Sequence, residues 1–147
     1  MIQRIQTVYI FISAALIGLM LGVDFAELLV DGKWYVYNSG GISDSENIIY
    51  NGIPILMFIV LITLLHILAI FLYKKRILQI RILVFTIILL IGLLGVILYF
   101  MHASFTNIEV EYKIPLAFPL IAVILDYLAI RAIGKDEALV RSLDRIR

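Results

Sequence analysis

Residues 53–73 read IPILMFIVLITLLHILAIFLY and contain no Asp, Glu, Lys or Arg. A bilayer core about 30 Å thick needs roughly 20 consecutive apolar residues in a helix, and this stretch meets that length. In water its Ile and Val content would suggest a buried strand, but strands rarely exceed about eight residues. In lipid a spanning segment must satisfy its own backbone hydrogen bonds, which a helix does. Asn51 and Gly52 can cap the helix, and Pro54 falls in its first turn, where a missing N–H costs nothing.

Working outward, residues 5–23, 82–101 and 114–133 satisfy the same criterion. The predicted fold class is an all-α membrane protein, a four-transmembrane-helix bundle forming one integral domain over residues 1–147. Its outer loops are 24–52 and 102–113, and its tail is 134–147. Composition agrees: 63% of the 147 residues are hydrophobic and 16% charged, against about half and a quarter in soluble domains. Pro115 opens the fourth helix, Pro119 one turn deeper should bend it, and Gly134 sits at a usual stop position. The chain has no cysteine, which excludes disulfides, thiol chemistry, iron–sulfur clusters and cysteine zinc sites.

Lys and Arg set the orientation. With the N-terminus inside, the inner side holds Arg4, Lys74, Lys75, Arg76, Arg81, Arg131, Lys135, Arg141, Arg145 and Arg147, and the outer side only Lys33 and Lys113. By the positive-inside rule both termini are cytoplasmic, and the expected location is a bacterial inner membrane. The first span has only a weakly basic flank, Arg4 alone, and no Ala-x-Ala site follows it, so it is expected to stay rather than be cleaved as a signal peptide. The formal net charge of +1 thus conceals a strong polarity, since seven of the eleven acids fall on the outer side. No nucleic-acid partner is predicted.

The first outer loop carries Asp31-Gly32 between two β-prone runs, Glu27-Leu28-Leu29-Val30 and Lys33-Trp34-Tyr35-Val36-Tyr37. Asp-Gly suits a type I′ hairpin, whose two central residues need positive φ. In the second loop Ile108, Val110 and Tyr112 alternate with polar residues and give a third strand. Three strands with one apolar face can hold together, so a small outer sheet is expected, with Trp34, Tyr35 and Tyr37 as interfacial aromatic anchors. Residues 39–47 (SGGISDSEN) read as a mobile polar loop. The spacing of the outer acids matches no EF-hand. This layout resembles the claudin-like architecture in topology, without that family's disulfide or its tryptophan-rich first loop.

Two ionisable residues fall inside the spans, His66 and Asp126. Intramembrane ionisable groups are costly and are functional candidates by default. Counted at 1.5 Å per residue, both lie roughly 18–20 Å below the outer edge. Ser13 and Thr86 fall near the same level, which makes a polar layer. An Asp–His pair can relay a proton, or it can be a structural contact that fixes helix register. The structural reading is preferred, since second and fourth helices are diagonal in a cyclic bundle. His102 lies at the outer rim, too far from His66 to share a haem iron. No metalloprotease, phosphate-loop or nucleophile-elbow motif appears, so neither an enzyme activity, a metal site nor a cofactor is predicted.

Ala14, Gly18 and Gly22 recur every fourth residue, and Gly18-Leu-Met-Leu-Gly22 is a G-x-x-x-G that lets another backbone approach. The stripe fits a neighbour in the same chain, with Gly92 and Gly95 as matching positions, or a second copy in a homo-oligomer. On the inner face, Leu139, Leu143 and Ile146 fall at helical spacing, and Glu137 and Arg141 form an i,i+4 pair. A short amphipathic helix lying on the lipid surface or against a partner is expected there.

The two ends of the chain, Met1-Ile2-Gln3-Arg4-Ile5-Gln6-Thr7 and Lys135-Asp136-Glu137-Ala138-Leu139-Val140-Arg141-Ser142-Leu143-Asp144-Arg145, resemble the signatures of a family of small membrane proteins from Bacteroidetes. It is the domain-of-unknown-function family four-two-nine-three. The resemblance implies an inner-membrane location and assigns no chemistry. Because its distinctive wording lies at the cytoplasmic ends, Gln3, Arg4, Lys135, Arg141 and Arg145 become candidates for docking a protein partner. The leading expectation is a non-enzymatic accessory or scaffold subunit. The alternatives are a small proton-linked transporter or channel component using His66 and Asp126, and an adhesion-like protein acting through its outer sheet.

Overall fold

The computed structural model describes residues 3–44, 47–103 and 109–144. It is mostly helical: α1 (Gln3–Leu19), α2 (Ile53–Phe71), α3 (Arg76–Ala103) and α4 (Phe118–Asp144). Each helix packs on its two neighbours in a ring, α1 on α2, α2 on α3, α3 on α4 and α4 back on α1. Apolar side chains cover the outside as well as the core. Phe11, Leu64, Phe71, Ile88, Tyr99 and Ile124 are each more than half exposed. Helices that are hydrophobic all round belong in a membrane or a large core.

Three of the helical stretches, Ile53–Phe71, Arg76–His102 and Ile114–Val140, are long and apolar enough to cross a membrane, whereas the apolar part of α1, Ile5–Leu19, is shorter. The expectation of a first helix reaching residue 23 is therefore corrected. Met20, Leu21 and Gly22 donate backbone bonds to Ile17, Gly18 and Leu19, a tight three-residue pattern that ends the helix early.

Caps and turns follow the local chemistry. Asn51 Oδ1 accepts from the Ile53 N–H at 3.0 Å, and Pro54 lies in the first turn of α2. Pro115 lies in a 3₁₀ turn, Ile114–Ala117, that leads into α4. Pro119 does not bend α4. It occupies the first turn, where the absent N–H would have been free anyway. Nor does Gly134 stop the helix, which runs on through it to Asp144. The expected separate tail helix is a straight continuation of α4, favoured by Ala138, Leu139 and neighbouring charged residues of good helix propensity. Glu137 reaches Arg76 Nη1 at 3.7 Å, and the same guanidinium donates to the Asp136 carbonyl at 3.3 Å, which ties this extension to the start of α3.

Above one end of the ring lies a five-stranded antiparallel sheet of β1 (Asp24–Val30), β2 (Lys33–Asn38), β3 (Gly41–Ser43), β4 (Ile48–Asn51) and β5 (Glu109–Tyr112), in the order β4-β3-β2-β1-β5. Asp31 (φ 49°) and Gly32 (φ 79°) supply the two positive-φ positions of the β1–β2 turn, as their sequence predicts. Residues 105–108 of the anticipated third strand lie outside the described residues. The stretch 39–47, expected as a loop, contains β3 instead, and Ile42 within it is fully buried. Tyr37 is not an interfacial anchor either. It packs edge-to-face on Phe25 at 5.7 Å, and its hydroxyl donates to the Ile97 carbonyl of α3 at 3.1 Å. Burial pushes its phenol well above the ordinary tyrosine range. Phe25, Leu28 and Ile42 complete the seat of the sheet on Ile17, Met20, Ile55 and Met101. Trp34, beside the turn, is exposed. Lys113, just past β5, sits between Glu27 (2.5 Å) and Asp24 (3.6 Å), and its hydrogen bond to Glu27 raises its ammonium above the usual lysine value.

Within the chain, the glycines of the small-residue stripe do not mediate close packing. A Cβ added at Gly18 or Gly22 would meet nothing within 4 Å, and Gly92 faces only the ring of Phe58. The four-residue spacing that gives a smooth face does not say which way the face points. Gly18→Ala is accordingly expected to be tolerated and to raise helix stability by up to about 1 kcal/mol, measured as detergent-resistant thermal melting. A loss of stability or of an oligomer would show that this face is occupied.

Candidate functional site

The buried stripe of each helix contains one polar residue near a common level. On α2 it is Ile55, Ile59, Ile62, His66 and Ala69; on α4 it is Ala122, Asp126, Ala129 and Ile133. On α1, Ile10, Ser13 and Ile17 face inward, and on α3 Leu83, Thr86 and Leu90 do so. These three- and four-residue steps are the helix period, so once Ser13, His66, Thr86 and Asp126 share a level they converge on the bundle axis. All four are 0% exposed.

The cluster joins the diagonal pair. His66 Nε2 lies 3.0 and 2.9 Å from the two carboxyl oxygens of Asp126, across the ring from α2 to α4. The small residues Ala122 and Ala129, flanking Asp126 on its face, leave room for this reach. Ser13 Oγ stands 3.0 Å from the same Nε2 and 3.5 Å from the Ala122 carbonyl. Thr86 Oγ1 lies 2.8 Å from the Leu83 carbonyl and 3.3 Å from Asp126 Oδ2, with one hydrogen to share between them. All four sequence candidates for the polar layer are thus brought together.

Hydrogen-bond geometry limits the protonation of the pair. His66 Nδ1 is 2.9 Å from the Ile62 carbonyl, which can only accept, so Nδ1 carries a hydrogen. Nε2 then faces a carboxyl group. If both Nε2 and Asp126 lacked a proton, two lone pairs would oppose each other at 2.9 Å. At least one proton therefore lies between them, on the imidazole or on the acid, and with a single proton the pair is neutral as a unit. A neutral unit is what a dry centre tolerates.

Sequence reasoning missed two further buried polar groups at the other end of the bundle. Gln79 donates from Nε2 to the Ala69 carbonyl at 2.9 Å and joins α3 to α2. Gln6 is also buried, and its amide nitrogen has no hydrogen-bond partner among the described residues. Gln79 was hidden by an expected helix start at residue 82; the helix begins at Arg76, because the two cations Arg76 and Arg81 interrupt the apolar window without ending a helix. The proposed docking residues are less informative. Lys135 is exposed on α4. The side chains of Gln3, Arg4 and Arg141, and Arg145 altogether, lie outside the described residues. Among the described residues no group of three or more His, Asp or Glu could hold a metal ion.

Long apolar helices around a sealed polar cluster, under a small sheet, define a membrane-type helical protein. The chain belongs to the family described as Domain of unknown function (DUF4293), whose model matches residues 2–146. That match spans both ends, as the resemblance of the terminal motifs implied. Comparison with curated proteins gives no match.

Proposed function

We propose that this protein is a non-enzymatic accessory or scaffold subunit of a bacterial inner membrane. All four helices cross the bilayer, both termini are cytoplasmic, and the small sheet lies on the outer side in a claudin-like layout. Although α1 is short, its apolar run continues as a tight turn to Val23, and it packs lengthwise on α4. Of the basic residues assigned to the inner side, Lys74, Lys75, Arg76 and Arg81 fall at the turn between α2 and α3 and the start of α3, and Arg131 and Lys135 fall in the later part of α4, all away from the sheet. One observation carries the scaffold reading: the two ionisable residues at the centre of the bundle, His66 and Asp126, are fully buried and satisfied by each other. Such a contact fixes helix register, a role worth about 0.6 kcal/mol on average and rarely above about 2. The shared proton keeps a proton-linked transporter as the second reading.

The absence of cysteine allows a clean test. Lys33→Cys is expected to react with a membrane-impermeant maleimide in intact cells, and Lys135→Cys only after lysis. In mild-detergent pull-downs, a stable inner-membrane partner is expected to co-purify with the full chain. It should be lost when residues 135–147 are deleted, with insertion unchanged. Co-purification that survives the deletion would overturn docking through the tail.

A further inference from the structure

We propose that the inner end of the bundle holds one anionic, ester-linked phospholipid, with its phosphate over the α2–α3 turn and a chain between α1 and α2. The inference rests on the reading that the helices span a membrane, and three independent deficits point to it.

The first deficit is of negative charge. A cavity of about 680 Å³ is lined by Lys74, Lys75, Arg76 and Arg81, with Glu137 as its one acid. Arg76 is also the first residue of α3, whose first turn contains no acid. The positive end of the helix dipole therefore adds to four cations rather than offsetting them. Among the described residues, part of this charge is answered by the Arg76–Glu137 pair at 3.7 Å. An anion would relieve the rest, and basic pockets between helices on the cytoplasmic side are sites for anionic lipid head groups.

The second deficit is of a hydrogen-bond acceptor. Next to the basic cavity lies a second one of about 560 Å³, and Tyr73 lines both. Gln6 lines this second cavity, is 5% exposed, and its Nε2 has no partner among the described residues. A buried amide donor left unmade is destabilising, and lipid tails cannot satisfy it. An ester carbonyl can.

The third deficit is of apolar cover. Val8, Phe11 and Ile70 line the same cavity, and Phe11 is 64% exposed. An acyl chain fills such a surface. A molecule with a phosphate, then an ester carbonyl, then a chain presents the three groups in the order that the two adjoining cavities require. A free phosphate would answer the first deficit alone. A peptide segment would answer the second and third but would need an acidic side chain at the first.

Native mass spectrometry of the full chain in an uncharged detergent tests this, with ester-linked phosphatidylglycerol, its ether-linked analogue, chain-matched phosphatidylcholine and inorganic phosphate as probes. The expected result is a one-to-one complex with the ester phosphatidylglycerol, at least about tenfold tighter than with phosphatidylcholine. The Lys74→Ala/Lys75→Ala variant should lose about tenfold or more, since each cation near an anionic head group contributes about 1 kcal/mol. Lys33→Gln/Arg131→Gln removes the same charge away from the cavity and should leave lipid binding unchanged. Gln6→Leu should keep the preference for the anionic lipid and lose the preference for ester over ether linkage. Melting temperatures of the lipid-free variants, expected to match that of the parent, establish that they fold. Equal binding of the two head groups would overturn the proposal, as would equal losses in both charge variants or displacement of the lipid by inorganic phosphate. So would equal binding of ester and ether lipids by the parent. Solubility without detergent would instead overturn the membrane reading itself.

Discussion

Gly52→Ala is expected to unseat the β3–β4 hairpin from the helices, at a cost of about 3 kcal/mol or more. Gly52 is the N-cap of α2 and directly follows β4, so it forms the joint between sheet and bundle. Its N–H donates to the Gly40 carbonyl at 2.8 Å, and its own carbonyl accepts from Leu56 at 2.9 Å. A Cβ there would stand 2.6 Å from the Ser39 carbonyl oxygen and 2.5 Å from the Gly40 carbonyl carbon, and would press closer still on the Gly41 nitrogen. Every one of these atoms is backbone, so no side chain can swing away. Gly41 faces the same junction from the other strand. Its φ is +120°, and a Cβ on it would run into the Tyr50 carbonyl and approach the Gly52 nitrogen to 2.7 Å. Gly41→Ala should therefore be at least as damaging, with backbone strain of about 1–3 kcal/mol added to the clash. Because both substitutions break one junction, the double variant should cost clearly less than the two single costs added together. The measurement is limited proteolysis from the outer side alongside thermal melting. Cleavage between residues 39 and 52 should accelerate by at least about tenfold while the helices stay inserted. Protection equal to that of the parent would show that the junction can open without loss, contrary to the packing of Ile42.

This joint was hardly visible in the sequence, for a physical reason. Ser39-Gly40-Gly41 reads as a turn, and β3 offers only three residues, too few for an alternating pattern. What makes it a strand is the close approach of two backbones at Gly41 and Gly52, eleven positions apart in sequence and unrelated by any local rule. The Asp31-Gly32 hairpin was legible because its turn chemistry is local. The helices were legible as apolar runs, but their inward faces were not. With Leu, Ile and Val on every side, hydrophobicity does not distinguish Ile59, which is buried, from Met57, which is 65% exposed. Only the polar residues break that degeneracy. Ser13, His66, Thr86 and Asp126 were recognisable as one layer because their depths match, and depth follows from helical rise alone. Whether they touch depends on the diagonal reach between α2 and α4, which depends on Ala122 and Ala129. The tail misread at Gly134 has the same origin: a glycine ends a helix only when nothing beyond it favours continuing.

The charge bookkeeping at that layer leads to a sharp asymmetry between its two central members. Removing the imidazole in His66→Ala leaves Asp126 in a dry centre with the Thr86 hydroxyl at 3.3 Å as its remaining side-chain partner. Deleting one member of a buried pair costs about 3–5 kcal/mol when the other remains charged. The carboxyl group can escape part of this by keeping the proton, but its O–H then lacks the acceptor it had. His66→Ala should thus lower the melting temperature strongly and release the contact between α2 and α4. Asp126→Asn should do neither. The asparagine amide is close in shape to the carboxyl group, and its N–H can donate to Nε2 just as a protonated acid does, while Nδ1 keeps its bond to the Ile62 carbonyl. The variant preserves a neutral, hydrogen-bonded centre and removes only the ability to move a proton. Its stability is expected within about 1 kcal/mol of the parent, read from thermal melting in detergent. A register lock survives that substitution, so partner co-purification should be intact in Asp126→Asn and lost in His66→Ala. A proton carrier does not survive it: an Asp126→Asn protein that folds and assembles normally but no longer supports its host's phenotype would move the function from scaffolding to proton-linked transport. If Asp126→Asn instead destabilises the bundle as much as His66→Ala, the ionised pair itself is what holds the diagonal together, and the neutral acid–imidazole form contributes little.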